Sequence, residues 1–396
     1  MKLGIIFLAF TFGCVATAFI RVAPDTVNAD SKTEKQNLEF SVPDLDATTA
    51  LEVQAESFGE TKDGLPVQKF VCTNENGMVL ELADYGATIV AVKIPSPNGL
   101  VDVALSCGDI AGYEACESYF GSTLGRFAGH IAGGKFSIDG RQYSLTTNDQ
   151  EHCFNGGKQG FDRQIWESEL IETDTEVGVR FKLTSPDGDE GFPGEIKVIA
   201  EYTLDNSNRL TTRIATTADS PTHANVCNHS FWNLKGAGSG SVAEHTLTSP
   251  SDHVVELDEN GIPTGVLLNT TADQVFDFSA ARTIGSGMVA MPAGQLGYDH
   301  CFVIQKRTDE ELALVAKVVE PESGRSMTVY SSQPAFQFET SNDFEGQPTS
   351  GGFEKHAGFL IRPQGYPDAP NQPEFPTTRI EGGKEVSHST VHQFDF

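Results

Sequence analysis

The chain has 396 residues, with 27 Lys+Arg against 55 Asp+Glu and a formal net charge of -28. That excess of negative charge repels phosphate backbones and anionic lipid, so nucleic acid and membrane surfaces are poor partners. Thirty-nine Gly and 19 Pro describe a chain of many turns, and helical bundles and coiled coils are excluded with them.

The first element is Met1-Lys2 followed by an apolar run from Leu3 to Ile20, closed by Ala16-Thr17-Ala18. One positive charge, an apolar stretch and small residues at its end predict a signal peptide over 1–18. Val27-Asn28-Ala29 offers a second cleavage point, so the segment extends to 29 on that choice. A single membrane anchor is the competing reading, since ~18 apolar residues just span a bilayer. The mature product is expected to be exported, to a periplasm or the extracellular space. Residues 19–64 are polar and acidic with few aromatics, and are expected to form a disordered leader. The folded body is then expected over 65–396. Six cysteines follow Cys14, with neither a Cys-x-x-Cys pair nor zinc-like spacing. Most are read as buried thiols, with any pairing left open.

From about residue 66 the pattern has period two. Phe136-Ser137-Ile138, Asp139-Gly140 and Arg141 to Leu145 predict a hairpin on an Asp-Gly turn. Val177, Val179, Phe181 and Leu183 alternate with polar residues, as do Ile196, Val198, Ala200, Tyr202 and Leu204. A strand from Leu210 to Ile214 follows, then strands over 314–319 and 327–330 around Glu320-Pro321-Glu322-Ser323-Gly324. No amphipathic helix of three turns is evident. Strands every ~8–12 residues separated by turns predict an all-β sandwich or barrel.

Phosphate-loop, dinucleotide-binding, zinc-protease and serine-nucleophile motifs are absent. Asp187-Gly188-Asp189-Glu190-Gly191 lacks EF-hand spacing and reads as a solvated turn. His223 and His229 have no third ligand nearby, so no metal is expected. Three segments place hydrogen-bonding side chains among rings: Asn228-His229-Ser230-Phe231-Trp232-Asn233-Leu234, Gly297-Tyr298-Asp299-His300-Cys301-Phe302 and Gln333-Pro334-Ala335-Phe336-Gln337-Phe338-Glu339. Planar donors and acceptors beside aromatic faces suit a sugar; taken singly, each segment reads first as a core strand with one satisfied polar residue.

These segments stand in a longer collinear series. Before them come Tyr85-Gly86-Ala87-Thr88-Ile89, Gly125-Arg126-Phe127-Ala128-Gly129-His130, Phe154-Asn155-Gly156-Gly157 and Ser185-Pro186-Asp187-Gly188-Asp189-Glu190-Gly191-Phe192-Pro193-Gly194. After them comes Pro367-Asp368-Ala369-Pro370-Asn371. In this series the body from Val67 to Phe396 resembles the aldose 1-epimerases (galactose mutarotases). The resemblance implies a mutarotase-like β-supersandwich and a site for a monosaccharide, an aldohexose, that uses neither cofactor nor metal. It implies interconversion of the α and β anomers: a base takes the C1 hydroxyl proton, an acid protonates the ring oxygen, and the opened ring closes on its other face.

By the same resemblance His229 matches the catalytic acid, Asp299 a sugar-hydroxyl acceptor and Gln337 a further sugar contact. Other positions depart from the pattern. The sugar-binding Arg is replaced by His130, a site His by Asn155, and the Tyr two residues after the catalytic His by Phe231. The base Glu aligns with Arg362, in Leu360-Ile361-Arg362-Pro363-Gln364, and an arginine does not act as a base in a protein. Glu339 stands where the family commonly has Tyr, and shares a strand face with Gln337. It is the candidate replacement base, and is expected to pair with Arg362, which would lower its pKa. A strand-end Glu in water is the competing reading. Three functions follow: an epimerase with a rewired site, a non-catalytic carbohydrate-binding protein, or isomerisation of an acidic sugar held by Arg362.

Overall fold

The alternating segments become strands whose two faces carry different chemistry. The computed structural model describes residues 50–292, 294–306 and 311–396. The apolar start and the leader up to residue 49 lie outside the described residues. A nine-stranded antiparallel sheet runs in the order Glu167–Glu172, Glu176–Ser185, Ile196–Asp205, Arg209–Ala218, Glu385–Asp395, Ser326–Ser331, Ala313–Val319, Thr246–Thr248, Arg282–Thr283. A six-stranded sheet is ordered Phe231–Trp232, Phe359–Gln364, Ala335–Glu339, Asp299–Val303, His253–Leu257, Pro263–Asn269. A five-stranded meander, Glu52–Glu60 to Gly99–Asp102, completes the large sheets. The two α-helices among the described residues have six and seven residues.

The six-stranded sheet positions the site. Its residues Phe302, Phe336, Phe338, Phe359 and Ile361 join one core cluster with Val315, Val318, Val329 and Phe394 of the nine-stranded sheet. Phe302 and Phe336 stack with centroids 5.3 Å apart. Each such ring or aliphatic side chain removed from water contributes ~1.5–3 kcal/mol before chain entropy is counted. Because the pleat has period two, the residues between these, Asp299, Gln337, Glu339 and Arg362, are presented on the opposite face.

Asp139 and Gly140 both have positive φ, 51° and 81°, between the strands Lys135–Ile138 and Arg141–Ser144. That is the backbone a two-residue primed turn requires. The acidic segment 187–191 is a structured turn. Asp187 accepts the Gly194 N–H at 2.6 Å, and Glu190 accepts the N–H groups of Lys158 and Gln159 at 3.1 and 3.2 Å. His223 Nδ1 is hydrogen-bonded to the Thr378 hydroxyl at 3.0 Å.

The boundary of the leader differs from expectation. Glu52–Glu60 is a strand paired with Pro66–Thr73, from Glu52 opposite Thr73 to Glu60 opposite Pro66, with a bulge between Ser57 and Gly59. Only Val53 of this segment is buried. An outer strand with a polar exposed face has the composition of a disordered segment, which is why the sequence concealed it.

Candidate active site

The strand Cys227–His229 pairs with Ser122–Leu124 and carries His229 to the open face of the six-stranded sheet. In that sheet Asp299 lies directly opposite Glu339, and Gln337 opposite Arg362. Directly opposed residues project to the same face, with Cβ atoms ~4.5–5.5 Å apart. His229, Asp299, Gln337, Glu339 and Arg362 therefore line one cleft of about 580 Å³, with His130 and Phe154 on its wall. An adjoining recess of about 310 Å³ shares His229, Asp299 and Glu339 and adds Tyr119, Asn155 and Asp343.

Arg362 is 4% exposed and is held at two points. Its Nε donates to Gln364 Oε1 at 2.8 Å, and its Nη1 donates to His229 Nδ1 at 2.5 Å. A guanidinium only donates, so Nδ1 of His229 is the acceptor and the imidazole proton sits on Nε2. Burial, and then the adjacent positive charge of Arg362, hold the His229 pKa well below the ordinary histidine range. Tyr119 packs edge-on to the same ring with centroids 5.8 Å apart.

The expected Arg362–Glu339 ion pair is not formed. The two hydrogen bonds just described engage the guanidinium elsewhere, and Arg362 acts on Glu339 by its charge alone. Burial first and the neighbouring Asp299 second push the Glu339 carboxyl well above the usual range, with Asp343 adding to the rise and Arg362 opposing it. Glu339 thus moves in the direction opposite to the one expected. Asp299 accepts from Gln337 Nε2 at 2.6 Å, which fixes the carboxylate beside Glu339.

The substituted positions are also on the cleft. His130 Nε2 meets Asp149 at 2.9 Å, and its ring stacks on Phe154 with centroids 4.4 Å apart. Asn155 is fully buried; its Oδ1 accepts the Gly129 N–H at 2.9 Å, while its Nδ2 has no hydrogen-bond partner. Phe231 packs against His229, Phe120 and Phe344 behind the cleft. The sequence reading passed over Gln364, whose i+2 spacing from Arg362 would have revealed it, and Tyr119 and Asp343, which carry no local signal.

The structure is thus a β-sandwich whose open sheet face presents carboxyls, amides and a buried imidazole to a cleft of about 580 Å³. The aldose 1-epimerase family profile matches residues 68–393. The chain is 35% identical to the galactose mutarotase of Rattus norvegicus over 342 residues, 85% of this chain and 97% of that one. It is 34% identical to the aldose 1-epimerase of Escherichia coli K12 over 340 residues, 84% and 96% of the two chains. Among solved structures, an aldose epimerase homologue from C. elegans superposes with a TM-score of 0.73 at 28% identity, covering 81% of this chain and 96% of that one. The galactose 1-epimerase of Lactobacillus acidophilus shares the fold, with a TM-score of 0.77 at 23% identity over 87% and 99%. The chain belongs to the aldose 1-epimerase family.

Proposed function

We propose that the cleft interconverts the α and β anomers of an aldohexose by acid–base ring opening, with Glu339 in place of the family's Glu. One observation carries this reading: in a member of that family, half-buried Glu339 lines the cleft with His229 and Asp299, and burial together with the Asp299 charge pushes its carboxyl well above the usual range, toward the neutral form. A neutral carboxyl has an O–H donor and a carbonyl acceptor on one carbon. A cyclic hemiacetal likewise has a ring-oxygen acceptor and a hydroxyl donor on C1. The two match as a cyclic pair. The Glu339 O–H gives its proton to the ring oxygen while the Glu339 carbonyl oxygen takes the proton of the C1 hydroxyl. The bond from C1 to the ring oxygen breaks, the C1 carbonyl forms, and the carboxyl is left neutral with its two oxygens exchanged. Rotation of the aldehyde and the reverse transfer give the other anomer.

His229 has a holding role in this scheme. A neutral imidazole donates a hydrogen bond from Nε2 to a sugar oxygen, but giving up that proton would leave an imidazolate. Asp299, Gln337, Asn155 and His130 are placed to meet hydroxyls, and Arg362 fixes His229. Polarimetry on fresh α-D-glucose and α-D-galactose tests the reading. Acceleration above the buffer rate that is lost in Glu339→Gln supports it, and an unchanged buffer rate overturns it.

One observation favours a second reading. Arg362 occupies the family's base position and is built into the wall by Gln364 and His229. A cleft that binds sugar without turning it over would keep Asp299 and Gln337 and need no proton relay. A sugar titration that saturates while the anomerisation rate stays at background would decide for it. Export of the product is likewise proposed, on the charged start, the apolar run and Ala16-Thr17-Ala18. Native protein whose first residue is Met1 would overturn that.

A further inference from the structure

A cavity of about 10 Å³, separate from the cleft, is lined from both large sheets. Asn228 and Ser230, which flank His229, and Ile361 and Pro363, which flank Arg362, form one side of it. Trp232 of the six-stranded sheet and Thr212, His388 and His392 of the nine-stranded sheet line it as well. Along a strand alternate residues face opposite ways, so this cavity lies behind the residues that His229 and Arg362 present to the cleft.

Part of the polar lining is satisfied within the protein. Asn228 Nδ2 donates to the Gly121 carbonyl at 2.6 Å, and Ser230 Oγ donates to Asn228 Oδ1 at 2.6 Å. The Thr390 hydroxyl is hydrogen-bonded to that of Ser331 at 3.0 Å. Four other polar atoms on the cavity are buried and have no hydrogen-bond partner among the described residues: Thr212 Oγ1, Trp232 Nε1, His388 Nε2 and His392 Nδ1. These residues are neighbours. Thr212 pairs with Thr390, Ile214 with His388 and Leu210 with His392, so Thr212 stands diagonally between the two histidines on one face. The rings of Trp232 and His392 have centroids 5.3 Å apart. An unpaired buried polar atom bears its full desolvation cost, so four of them on one small cavity call for a shared partner.

We propose that this cavity is an internal water site, in which a bound water ties Trp232 of one sheet to Thr212, His388 and His392 of the other. The volume suits about one molecule. The donor set suits water too. An indole N–H only donates, a hydroxyl does both, and an imidazole nitrogen accepts or donates according to its tautomer. A cation would meet the indole hydrogen head-on. An anion would need a charged imidazole, whereas burial depresses both histidines to about 4 and leaves them neutral at pH 7. Water accepts and donates at once and brings no charge into the space between the sheets. Its bonds join the sheets where the strands bearing His229 and Arg362 pass, so the site supports the cleft and takes no part in its chemistry.

The test reads the indole N–H signals of the ¹⁵N-labelled full-length protein for cross-relaxation with water. The chain has two tryptophans, which supply an internal comparison. Trp166 is also buried, but its Nε1 donates to the Phe161 carbonyl at 3.1 Å. Trp232→Phe or, should that variant fail to fold, Trp166→Phe assigns the two signals. A water cross-peak is expected at the Trp232 N–H and none at that of Trp166. The cross-peak is expected to persist in Thr212→Val, which keeps the side-chain shape and removes a hydroxyl whose own exchange with solvent imitates a bound water. A wild type without a cross-peak at Trp232 would overturn the proposal, as would a cross-peak that vanishes in Thr212→Val. Neither readout needs turnover, so this inference stands or falls separately from the proposed activity.

Discussion

Nη1 of Arg362 donates to Nδ1 of His229 at 2.5 Å, so the imidazole faces the cleft with its Nε2–H. A cation in the position of the family's base thus fixes the tautomer of the residue matching the family's acid. Replacing Arg362 by Met removes the positive charge and leaves burial, the larger cause of the depression, in place. The His229 pKa is expected to rise while staying below the ordinary histidine range. Imidazole ¹⁵N shifts measured across a pH series check this. A wild-type His229 that is cationic at ~pH 6 would contradict the account.

Putting the family's residue back is not expected to restore an ordinary site. Arg362→Glu brings a third carboxylate beside Asp299 and Glu339, frees His229, and leaves Asn155 and His130 unaltered. Anomerisation of glucose by the wild type is expected to be slower than that of a Glu-bearing relative by ~10² or more, the usual scale of general acid–base assistance. The Arg362→Glu variant is expected to stay well short of the relative. Side-by-side kcat/KM values on glucose and galactose measure both.

The charge of Asp299 acts on Glu339 with a definite sign. The folded-state pKa of Glu339 is raised, so the protonated form that the proposed relay uses is lost as pH rises through that value. Asp299→Asn removes one of the charges that raise it. The falling limb of the pH–rate profile is expected to move to lower pH in that variant.

The same shift bears on stability. Below a pKa of 4.5 both states bind the proton; above it the unfolded chain releases the proton while the folded site retains it, so stability falls as pH rises through the window up to the raised value. Glu339→Gln is accordingly expected to be more stable than the wild type at neutral pH, and to lose that advantage on acidification. Urea denaturation at two pH values separates these outcomes.

His392, buried against Trp232, and half-buried His388 on the same strand give the opposite slope. Burial depresses both to about 4. The unfolded chain takes up protons below the ordinary histidine value of 6.5 while the folded state remains neutral, so stability falls as pH drops from there to about 4. His392→Gln is expected to lessen that fall, by at most ~1.4 kcal/mol for each pH unit of the window. Melting temperatures recorded over the same pH range test it.

The strands were legible in the chain because the period of two is written in residues such as Val177, Val179 and Phe181. The hairpin was legible because Asp139-Gly140 suits a turn with positive φ at both positions. Glu52–Glu60 was not, since an outer strand with one buried residue lacks an alternating apolar face. His229, Asp299 and Gln337 were found through the family resemblance and share one cleft in the structure. Spacing alone could not show that Arg362 turns to His229 rather than to Glu339. That choice depends on where the strand Cys227–His229 meets the end of the six-stranded sheet, a long-range contact with no local signature. The upward shift of the Glu339 pKa depends on burial and on Asp299 across the strand pair, and both exist only in the folded chain.

In the proposed reaction Glu339, its pKa raised by burial and by Asp299, relays protons for ring opening. Polarimetry of fresh α-D-glucose with the wild type and with Glu339→Gln, at equal sugar saturation, tests it most directly. Anomerisation above the buffer rate is expected for the wild type, with a loss of ~10²-fold or more of the enzymatic component in the variant and sugar affinity nearly unchanged. A Glu339→Gln protein that turns over glucose as fast as the wild type would contradict it.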